Sequence, residues 1–274
     1  MILSSLLLSI AANFDKVAIL CHKEGCDGML DRWPLDFQSR VHVFDGAQID
    51  PMFTKHIGKL RRNEKPHVFL VTMSHVYIAN TLFNNGTGSY LFLEEDFEVV
   101  QPGEHSEISL SASASNIARF VDKDEPWHFL RLGYNPTWRA QKGFRCKAAC
   151  LCQTVCDGIC SISPGNVGKK SSCWIRSTVG YAMHRRAWPA LQKLGNCTMD
   201  ADADKINLSI DNWMPGFSKN CAHGSPVHYL IPGVLSQRIS SDGSNKRHAR
   251  AMEGFASNCV TPFDHTIQTD SSTE

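Results

Sequence analysis

The sequence predicts an α/β domain with a mainly parallel central sheet, helices on both faces and a cysteine-rich insertion. Short apolar and β-branched runs alternate with segments whose apolar residues recur at helical spacing, a pattern typical of parallel sheets covered by helices. The chain has 274 residues, of which 42% are apolar and 20% charged, so it can bury a substantial core. One predicted strand ends in three carboxylates, and such sheets bind ligands at the carboxyl ends of their strands.

The first half of the chain supplies four predicted strands and one helix. Residues 16–21 and 40–44 are short β-branched and apolar runs, as buried strands are. Residues 66–73 (PHVFLVTM) are predicted as the third strand because they form a mostly apolar run. Residues 74–83 carry apolar side chains at helical spacing, and residues 90–93 (YLFL) form the fourth strand.

The second half resumes the same pattern after an interruption. Residues 127–132 are predicted as a strand, residues 178–194 as a strand that turns into a helix, and residues 227–237 as a last strand and loop. Between them, residues 141–175 are cysteine-rich and hold too few apolar residues for a core of their own. We therefore interpret this stretch as an insertion.

These elements predict one domain over residues 15–258, followed by a polar tail at 259–274. Residues 1–14 open with an apolar run that fits either a signal or anchor remnant or a first helix. No apolar run approaches the roughly 20 residues that span a bilayer, so no membrane-spanning segment is predicted.

The charge balance argues against two classes of partner. Lys and Arg total 28 against 27 Asp and Glu, which leaves a formal net charge of +1. Proteins that wrap nucleic acid or an anionic membrane carry a strong basic excess. The sequence therefore predicts neither nucleic acid nor an anionic membrane surface as a partner.

Cysteine usage favours an oxidising compartment. The chain has 11 cysteines, a high number for a cytosolic protein of this length. Six of them crowd into residues 146–173. Because these six cysteines lack the paired C-x₂-C spacing of structural zinc sites, disulfides are favoured over a metal cluster. Acceptor sequons for glycosylation at Asn85, Asn196 and Asn207 also favour the secretory lumen, with a cytoplasmic location left open. The six crowded cysteines are Cys146, Cys150, Cys152, Cys156, Cys160 and Cys173.

Three consecutive carboxylates, Glu94, Glu95 and Asp96, follow the predicted strand at 90–93. Like charges repel, and a divalent cation would neutralise them, with hard oxygen ligands suiting Mn²⁺ or Mg²⁺. The alternative is an acidic turn exposed to water. His228, five residues after His223, is a candidate metal ligand, although a histidine near a strand is more often a core or surface residue.

Several segments, in order, resemble glycosyltransferase family 25, which includes lipooligosaccharide galactosyltransferases and procollagen galactosyltransferase domains. The family's hallmark is a Leu-Glu-Asp-Asp strand end, to which Leu93-Glu94-Glu95-Asp96 is similar. The other matching segments are VAILC (17–21), Asp31-Arg32, FDGAQID (44–50), Ser74-His75, WHFLRLG (127–133), GYAMHRRAWPAL (180–191), LSIDNWM (208–214) and YLIPGVLSQ (229–237).

The resemblance implies a GT-A fold and an inverting, metal-dependent transfer of a hexose. Galactose from UDP-galactose is the favoured donor sugar, and a saccharide or a hydroxyl-bearing protein is the implied acceptor. Asp211 is the expected general base, and the expected metal ligands to Mn²⁺ or Mg²⁺ are Glu94, Asp96 and His228. The expected nucleotide-sugar-binding residues are Leu20, Asp45, Ser74, His75 and Glu95.

A second interpretation stays open at the level of sequence. Glu95 replaces the middle Asp of the family's strand end, and His184 replaces the usual hydroxyl residue before the Arg185-Arg186 pair. These departures also fit a non-catalytic GT-A-fold protein, secreted and binding a partner through a disulfide-rich insertion.

Overall fold

The computed structural model describes a mixed α/β fold. The described residues are 5–22, 26–58, 66–99, 110–122, 126–133, 135–136, 153–156, 159–162, 175–176, 178–200, 209–214, 221, 227–230 and 234–237. The strands within these ranges are β1 (Lys16–Cys21), β2 (Val41–Asp45), β3 (Ser89–Glu94), β4 (Phe97–Val99), β5 (Phe129–Arg131), β6 (Asn135–Pro136), β7 (Gln153–Cys156), β8 (Ile159–Ile162), β9 (Ile175–Arg176), β10 (Gly180–His184), β11 (Val227–Leu230) and β12 (Leu235–Gln237). The helices are α1 (Ser5–Ala11), α2 (Leu35–Gln38), α3 (Gly46–Ile57), α4 (Pro66–Asn84), α5 (Leu110–Val121), α6 (Trp188–Met199) and α7 (Ile210–Trp213).

The central sheet is mixed rather than mainly parallel. Its strands lie in the order β2-β1-β3-β10-β5-β11-β8-β7. Strand β1 is parallel to β2 and β3, and β5 is parallel to β11, whereas β10 and β8 run antiparallel to their neighbours. Because β10 is antiparallel to both β3 and β5, those two strands point the same way. The ends of β1, β2, β3, β5 and β11 therefore lie on one edge of the sheet, called the carboxyl edge below.

The core lies on both faces of this sheet. On one face, α3, α4, α6 and α7 cover side chains that include Leu20, Phe92 and Tyr181. On the other face, α1 and α5 cover side chains that include Ile19 and Leu93. The alternation of side chains along each strand thus divides the apolar residues between two helical layers.

Helix α1 packs into the second of these layers. Its residues Leu6, Leu7 and Ile10 are buried, and the helix contacts α5. The apolar opening of the chain therefore takes part in the fold as a helix. In the described part of the chain, no helix is both long enough and apolar enough to cross a membrane.

The predicted strand at 66–73 is wrong, because these residues form the first half of helix α4. Pro66 begins the helix, where the missing N–H of proline costs no hydrogen bond. The helix lies between the sheet, α3 and α6, so most of its surface is apolar and its sequence loses the one-sided pattern of a surface helix. A short apolar run of this kind does not distinguish a strand from a buried helix.

Part of the cysteine-rich stretch belongs to the central sheet. Strands β7 and β8 fall within residues 141–175, and β8 pairs antiparallel with β11. The predicted disulfides of this stretch fall on cysteines whose side chains lie outside the described residues. A disulfide is formed elsewhere, between Cys197 of α6 and Cys221, neither of which was among the six predicted cysteines.

Candidate active site at the carboxyl edge

The ends of three neighbouring strands bring the acidic cluster together with the end of β1. In the sheet register, Leu20 lies beside Glu94 of β3, and Cys21 lies beside Asp45 of β2. Because all three strands are parallel, their last residues meet at the same edge. The sequence prediction of a ligand site at the end of the 90–93 strand therefore leads to a group of residues from three strands.

Two of the three carboxylates hold the adjoining backbone and side chains in place. Glu94 Oε1 accepts a hydrogen bond of 2.5 Å from the hydroxyl of Thr178, which is buried. Glu95 Oε2 accepts a bond of 2.9 Å from the backbone N–H of His22, and the N–H of Glu95 donates to the carbonyl of Leu20 at 2.9 Å. The predicted site residue Leu20 thus lies at the end of β1, and the predicted site residues Glu94 and Glu95 contact that end.

The carboxylates suit a hard divalent cation in their chemistry. Glu94, Glu95 and Asp96 are all half-buried and offer only oxygen ligands. Within the described ranges, no group of three or more His, Cys, Asp or Glu side chains is arranged to hold a metal ion.

Asp45 and Ser74, both predicted to bind the nucleotide sugar, make contacts within the fold. Asp45 Oδ1 accepts a bond of 2.8 Å from the N–H of Ala47, which caps the start of α3. Ser74 is fully buried and donates its hydroxyl to the carbonyl of Leu70 at 3.0 Å. Asp45 lies at the carboxyl edge, whereas the hydroxyl of Ser74 is hydrogen-bonded to the backbone of its own helix, α4.

His75 is fully buried beneath β3. Its Nδ1 lies 2.8 Å from the hydroxyl of Tyr181, and its ring centroid is 4.2 Å from that of Phe92 and 5.7 Å from that of Tyr181. Burial, with a smaller contribution from His22, lowers the pKa of His75 to about 3. The imidazole is therefore neutral at physiological pH and acts as a hydrogen-bonding group rather than a cation.

This buried histidine predicts a pH-dependent stability. An unfolded histidine takes up a proton near pH 6.5, whereas folded His75 does so near pH 3, so the stability it contributes above about pH 6.5 is lost as the pH falls. We expect His75→Gln to reduce the fall in melting temperature between about pH 7 and about pH 5. His67→Gln, at an exposed position of the same helix, is the control and should leave the slope unchanged. Equal slopes for wild type and His75→Gln would contradict the prediction.

Among the buried polar atoms that lack hydrogen-bond partners within the described residues, four belong to His22, Asp50, His75 and Asp211. His22 follows β1 and interacts electrostatically with both Asp50 of α3 and His75 of α4. Asp211 lies on α7, whose Ile210 N–H donates to the hydroxyl of Thr72, one helical turn before His75. The four atoms are His22 Nε2, Asp50 Oδ1, His75 Nε2 and Asp211 Oδ1.

Such atoms are costly in a folded protein. A buried nitrogen or oxygen without a partner costs about 1–3 kcal/mol, and the large majority of such groups are paired. These four atoms have essentially no accessible surface, so a polar ligand would reach them only after the side chains around them move. His22 and Asp50 were not predicted from the sequence as site residues.

Gly46 makes room for the ring of His22. A Cβ atom at this position would lie 2.3 Å from His22 Nδ1 and 3.0 Å from the carbonyl oxygen of Cys21. We expect Gly46→Ala to displace the ring and to lower the free energy of unfolding by about 1–3 kcal/mol in denaturant titrations. Gly58→Ala, at the other end of α3 where a Cβ would meet nothing within 4 Å, should change it by about 0.5 kcal/mol or less. Equal losses in the two variants would show that the His22 contact is not the cause.

His228, a predicted metal ligand, is not brought to the carboxylates. The sheet register places it level with Leu91, three residues before Glu94 and three strands away, or about 14 Å at the usual strand spacing. Its ring packs against Phe120 of α5, so it lies on the opposite face of the sheet from His75.

Arg131 is a buried charged residue that the sequence analysis did not single out. It ends β5 at the carboxyl edge, is fully buried, and its guanidinium lies 5.9 Å from the ring centroid of Tyr229. The signal was a single cation inside the apolar run WHFLRLG, which an exposed strand end explains equally well.

Three comparisons with known proteins give one weak structural similarity. No family model matches the sequence, and no curated protein does. Among solved structures, the chain is similar to a glycosyltransferase involved in the glycosylation of the major capsid of PBCV-1. The two are 12% identical, with a TM-score of 0.26, and the match covers 68% of this chain and 69% of that one.

Proposed function

We propose that the protein is a metal-dependent, inverting glycosyltransferase of the GT-A type. It would transfer a hexose, galactose first among the candidates, from a nucleotide diphosphate sugar to a saccharide or to a hydroxyl group on a protein. The observation that carries this proposal is the meeting of the carboxylates Glu94 and Glu95 with the end of β1, beside buried polar atoms that have no partner in the described chain.

The donor would bind with its hydroxyl groups toward the buried polar atoms. His75 is neutral at physiological pH, and together with His22 and Asp50 it offers ring nitrogens and a carboxylate oxygen. Hydroxyl groups both donate and accept, so they pair with such a set, whereas a phosphate next to Asp50 would be repelled. The sugar or ribose part of the donor therefore suits this region better than the phosphates do.

The phosphates would lie at the acidic strand end, where a cation is needed. Glu94 and Asp96 are the residues that would hold Mn²⁺ or Mg²⁺, with diphosphate oxygens completing the coordination. When bound, the cation neutralises the negative charge that develops on the departing nucleoside diphosphate. The proposed set leaves out His228, which lies on the opposite face of the sheet.

Asp211 is the proposed general base. It is half-buried, and its Oδ1 is buried without a hydrogen-bond partner within the described residues, so no described group of the protein occupies this oxygen. As the acceptor oxygen forms a bond to the anomeric carbon, its proton would pass to Asp211 and the bond from that carbon to the diphosphate would break. Attack opposite the leaving group inverts the anomeric centre.

A thermal-shift experiment tests donor binding without knowledge of the acceptor. We expect UDP and Mn²⁺ together to raise the melting temperature more than the sum of the shifts that each produces alone, because each would complete the binding site of the other. EDTA should remove the joint effect. No shift with UDP, GDP or CDP in the presence of Mn²⁺ or Mg²⁺ would contradict the proposal.

We also propose the lumen of the secretory pathway as the location. The Cys197–Cys221 disulfide supports this assignment, because disulfides persist in oxidising compartments and are rare in the cytosol. Fractionation of the native cells, followed by protease protection of intact vesicles, would test it. Recovery of the protein in the cytosolic fraction would contradict it.

A further inference from the structure

An exposed turn joins α4 to β3 at the edge of the sheet opposite the carboxyl edge. Helix α4 ends at Asn84, β3 begins at Ser89, and the acceptor sequon Asn85-Gly86-Thr87 lies between them. Asn85 is exposed, and a Cβ atom added at Gly86 would meet nothing within 4 Å. The fold therefore leaves open space beside the acceptor side chain.

Backbone hydrogen bonds at the end of α4 set the conformation of this turn. The N–H of Thr87 donates to the carbonyl of Leu82 at 3.3 Å, and the N–H of Gly86 donates to the carbonyl of Phe83 at 3.2 Å. Gly86 has a φ of 84°, so the helix ends in the left-handed glycine turn that is common at helix C-termini. Because backbone groups form this cap, it does not require the side-chain amide of Asn85.

The chain that follows the turn is fixed to the body of the fold. Asp15 Oδ2 accepts hydrogen bonds of 2.7 Å and 3.0 Å from the N–H groups of Gly88 and Ser89. Ser89 and Glu94 are the two ends of β3, which lie about 16 Å apart at the usual rise of a strand. A large group on Asn85 would therefore be carried at the edge opposite the candidate active site.

We propose that Asn85 is an acceptor site for an N-linked oligosaccharide. This modification goes beyond the proposed glycosyl transfer, in which the chain is the enzyme and not the acceptor. It rests on the proposed secretory location and not on the proposed reaction. An exposed turn suits a bulky, polar glycan because the glycan stays in solvent and displaces no core residue.

The transfer requires an oligosaccharide linked to a lipid diphosphate as the co-reactant. The side-chain nitrogen of Asn85 forms a bond to the anomeric carbon of the first sugar, and the bond from that carbon to the lipid diphosphate breaks. The nitrogen loses one proton, and the lipid diphosphate leaves with the bonding electron pair. The Thr87 hydroxyl completes the acceptor motif, and its side chain is buried in the fold, so transfer would precede the packing of α4 and β3.

The sequon at residues 196–198 is less suited to a glycan. It lies within α6, where side chains two positions apart point to different sides of the helix. The hydroxyl of Thr198 donates to a backbone carbonyl of the same helix at 2.8 Å, and Cys197 is held in a disulfide. The third sequon, at Asn207, lies outside the described residues. Asn85 is therefore the acceptor that the described fold favours.

Secretion of the full chain from cultured eukaryotic cells tests the site. A cleavable secretion signal placed before the chain brings it into the lumen whatever its native location. The recovered protein is treated with peptide-N-glycosidase in heavy-oxygen water, which converts a glycosylated Asn into a heavy-oxygen-labelled Asp. Chymotrypsin, which cuts after Phe83 and Tyr90, then isolates Asn84 and Asn85 in peptide 84–90. We expect mass spectrometry to find the label on Asn85, and spontaneous deamidation is told apart because it adds ordinary oxygen.

Three substitutions in the turn define the acceptor. Thr87→Ala should abolish the label, because the sequon loses its hydroxyl, and Thr87→Ser should retain it. Asn84→Gln is the matched control, since it changes the neighbouring exposed amide and leaves the sequon intact, and it should keep the label on Asn85.

An unlabelled Asn85 in protein recovered from the lumen or the medium would overturn the proposal. A label that persists in Thr87→Ala would also overturn it, because the modification would then not depend on the sequon. Neither result depends on whether the protein transfers a sugar or on where its native location is. The acceptor site, the proposed function and the proposed location therefore fail separately.

Discussion

Glu94→Gln is expected to abolish glycosyl transfer and to leave the fold intact. The amide oxygen can still accept the hydrogen bond from the Thr178 hydroxyl. Buried Thr178 therefore keeps its hydrogen bond, and the substitution removes the negative charge of Glu94. Without that charge the proposed cation would bind weakly, and the charge on the departing diphosphate would no longer be neutralised. Asp96→Asn should have the same effect. Donor turnover measures activity, and the melting temperature reports on the fold.

The matched control is Asp36→Asn, which removes one carboxylate from an exposed position on α2. We expect it to retain full turnover. Activity that persists in both Glu94→Gln and Asp96→Asn, and that is indifferent to EDTA, would contradict a metal site at the end of β3.

Asp211→Asn is expected to lower turnover by about a hundredfold or more, the usual effect of losing a general base. The amide keeps the shape of the side chain and cannot take the proton of the acceptor hydroxyl. Binding of donor and metal should be unchanged, because these interactions are assigned to other residues. Turnover under saturating donor, together with the thermal shift produced by UDP and Mn²⁺, separates the two effects.

Asp200→Asn, at the exposed end of α6, is the matched control for this change. It should leave both quantities as they are. Unchanged turnover in Asp211→Asn would move the base to another residue, and loss of the thermal shift would show that Asp211 binds the donor.

The strands of the sheet were predictable where the local pattern is strong. Residues 16–21 form β1 as predicted, and β2 and β3 lie within one residue of the predicted ends. These runs are short, apolar and bounded by charged or turn residues, so the sequence alone defines them. The run at 66–73 has similar composition, and only the packing of α4 between two helices and the sheet makes it a helix.

Strand direction could not be predicted from the chain. The antiparallel course of β10 depends on the route of the chain through residues 134–177, and composition carries no information on that route. Direction matters for the site. Because β10 begins at the carboxyl edge, it brings Thr178 to Glu94.

The candidate site was predictable only where the local sequence pattern marks its residues. The carboxylates at 94–96 were evident because three like charges directly follow an apolar strand. His22 and Asp50 were not evident, since their importance arises from burial without partners, a property of the fold alone. His228 shows the reverse case, in which a plausible residue type lies on the wrong face of the sheet.

Release of free sugar from nucleotide sugars is the most direct test of the central claim. Purified protein would be incubated with UDP-galactose, UDP-glucose and GDP-mannose, each with Mn²⁺, with Mg²⁺ and with EDTA. The account predicts metal-dependent release from at least one donor, with UDP-galactose first, and its loss in Glu94→Gln. Phosphate-ester hydrolysis without any sugar donor, or release that is equal in wild type, Glu94→Gln and Asp96→Asn, would contradict it.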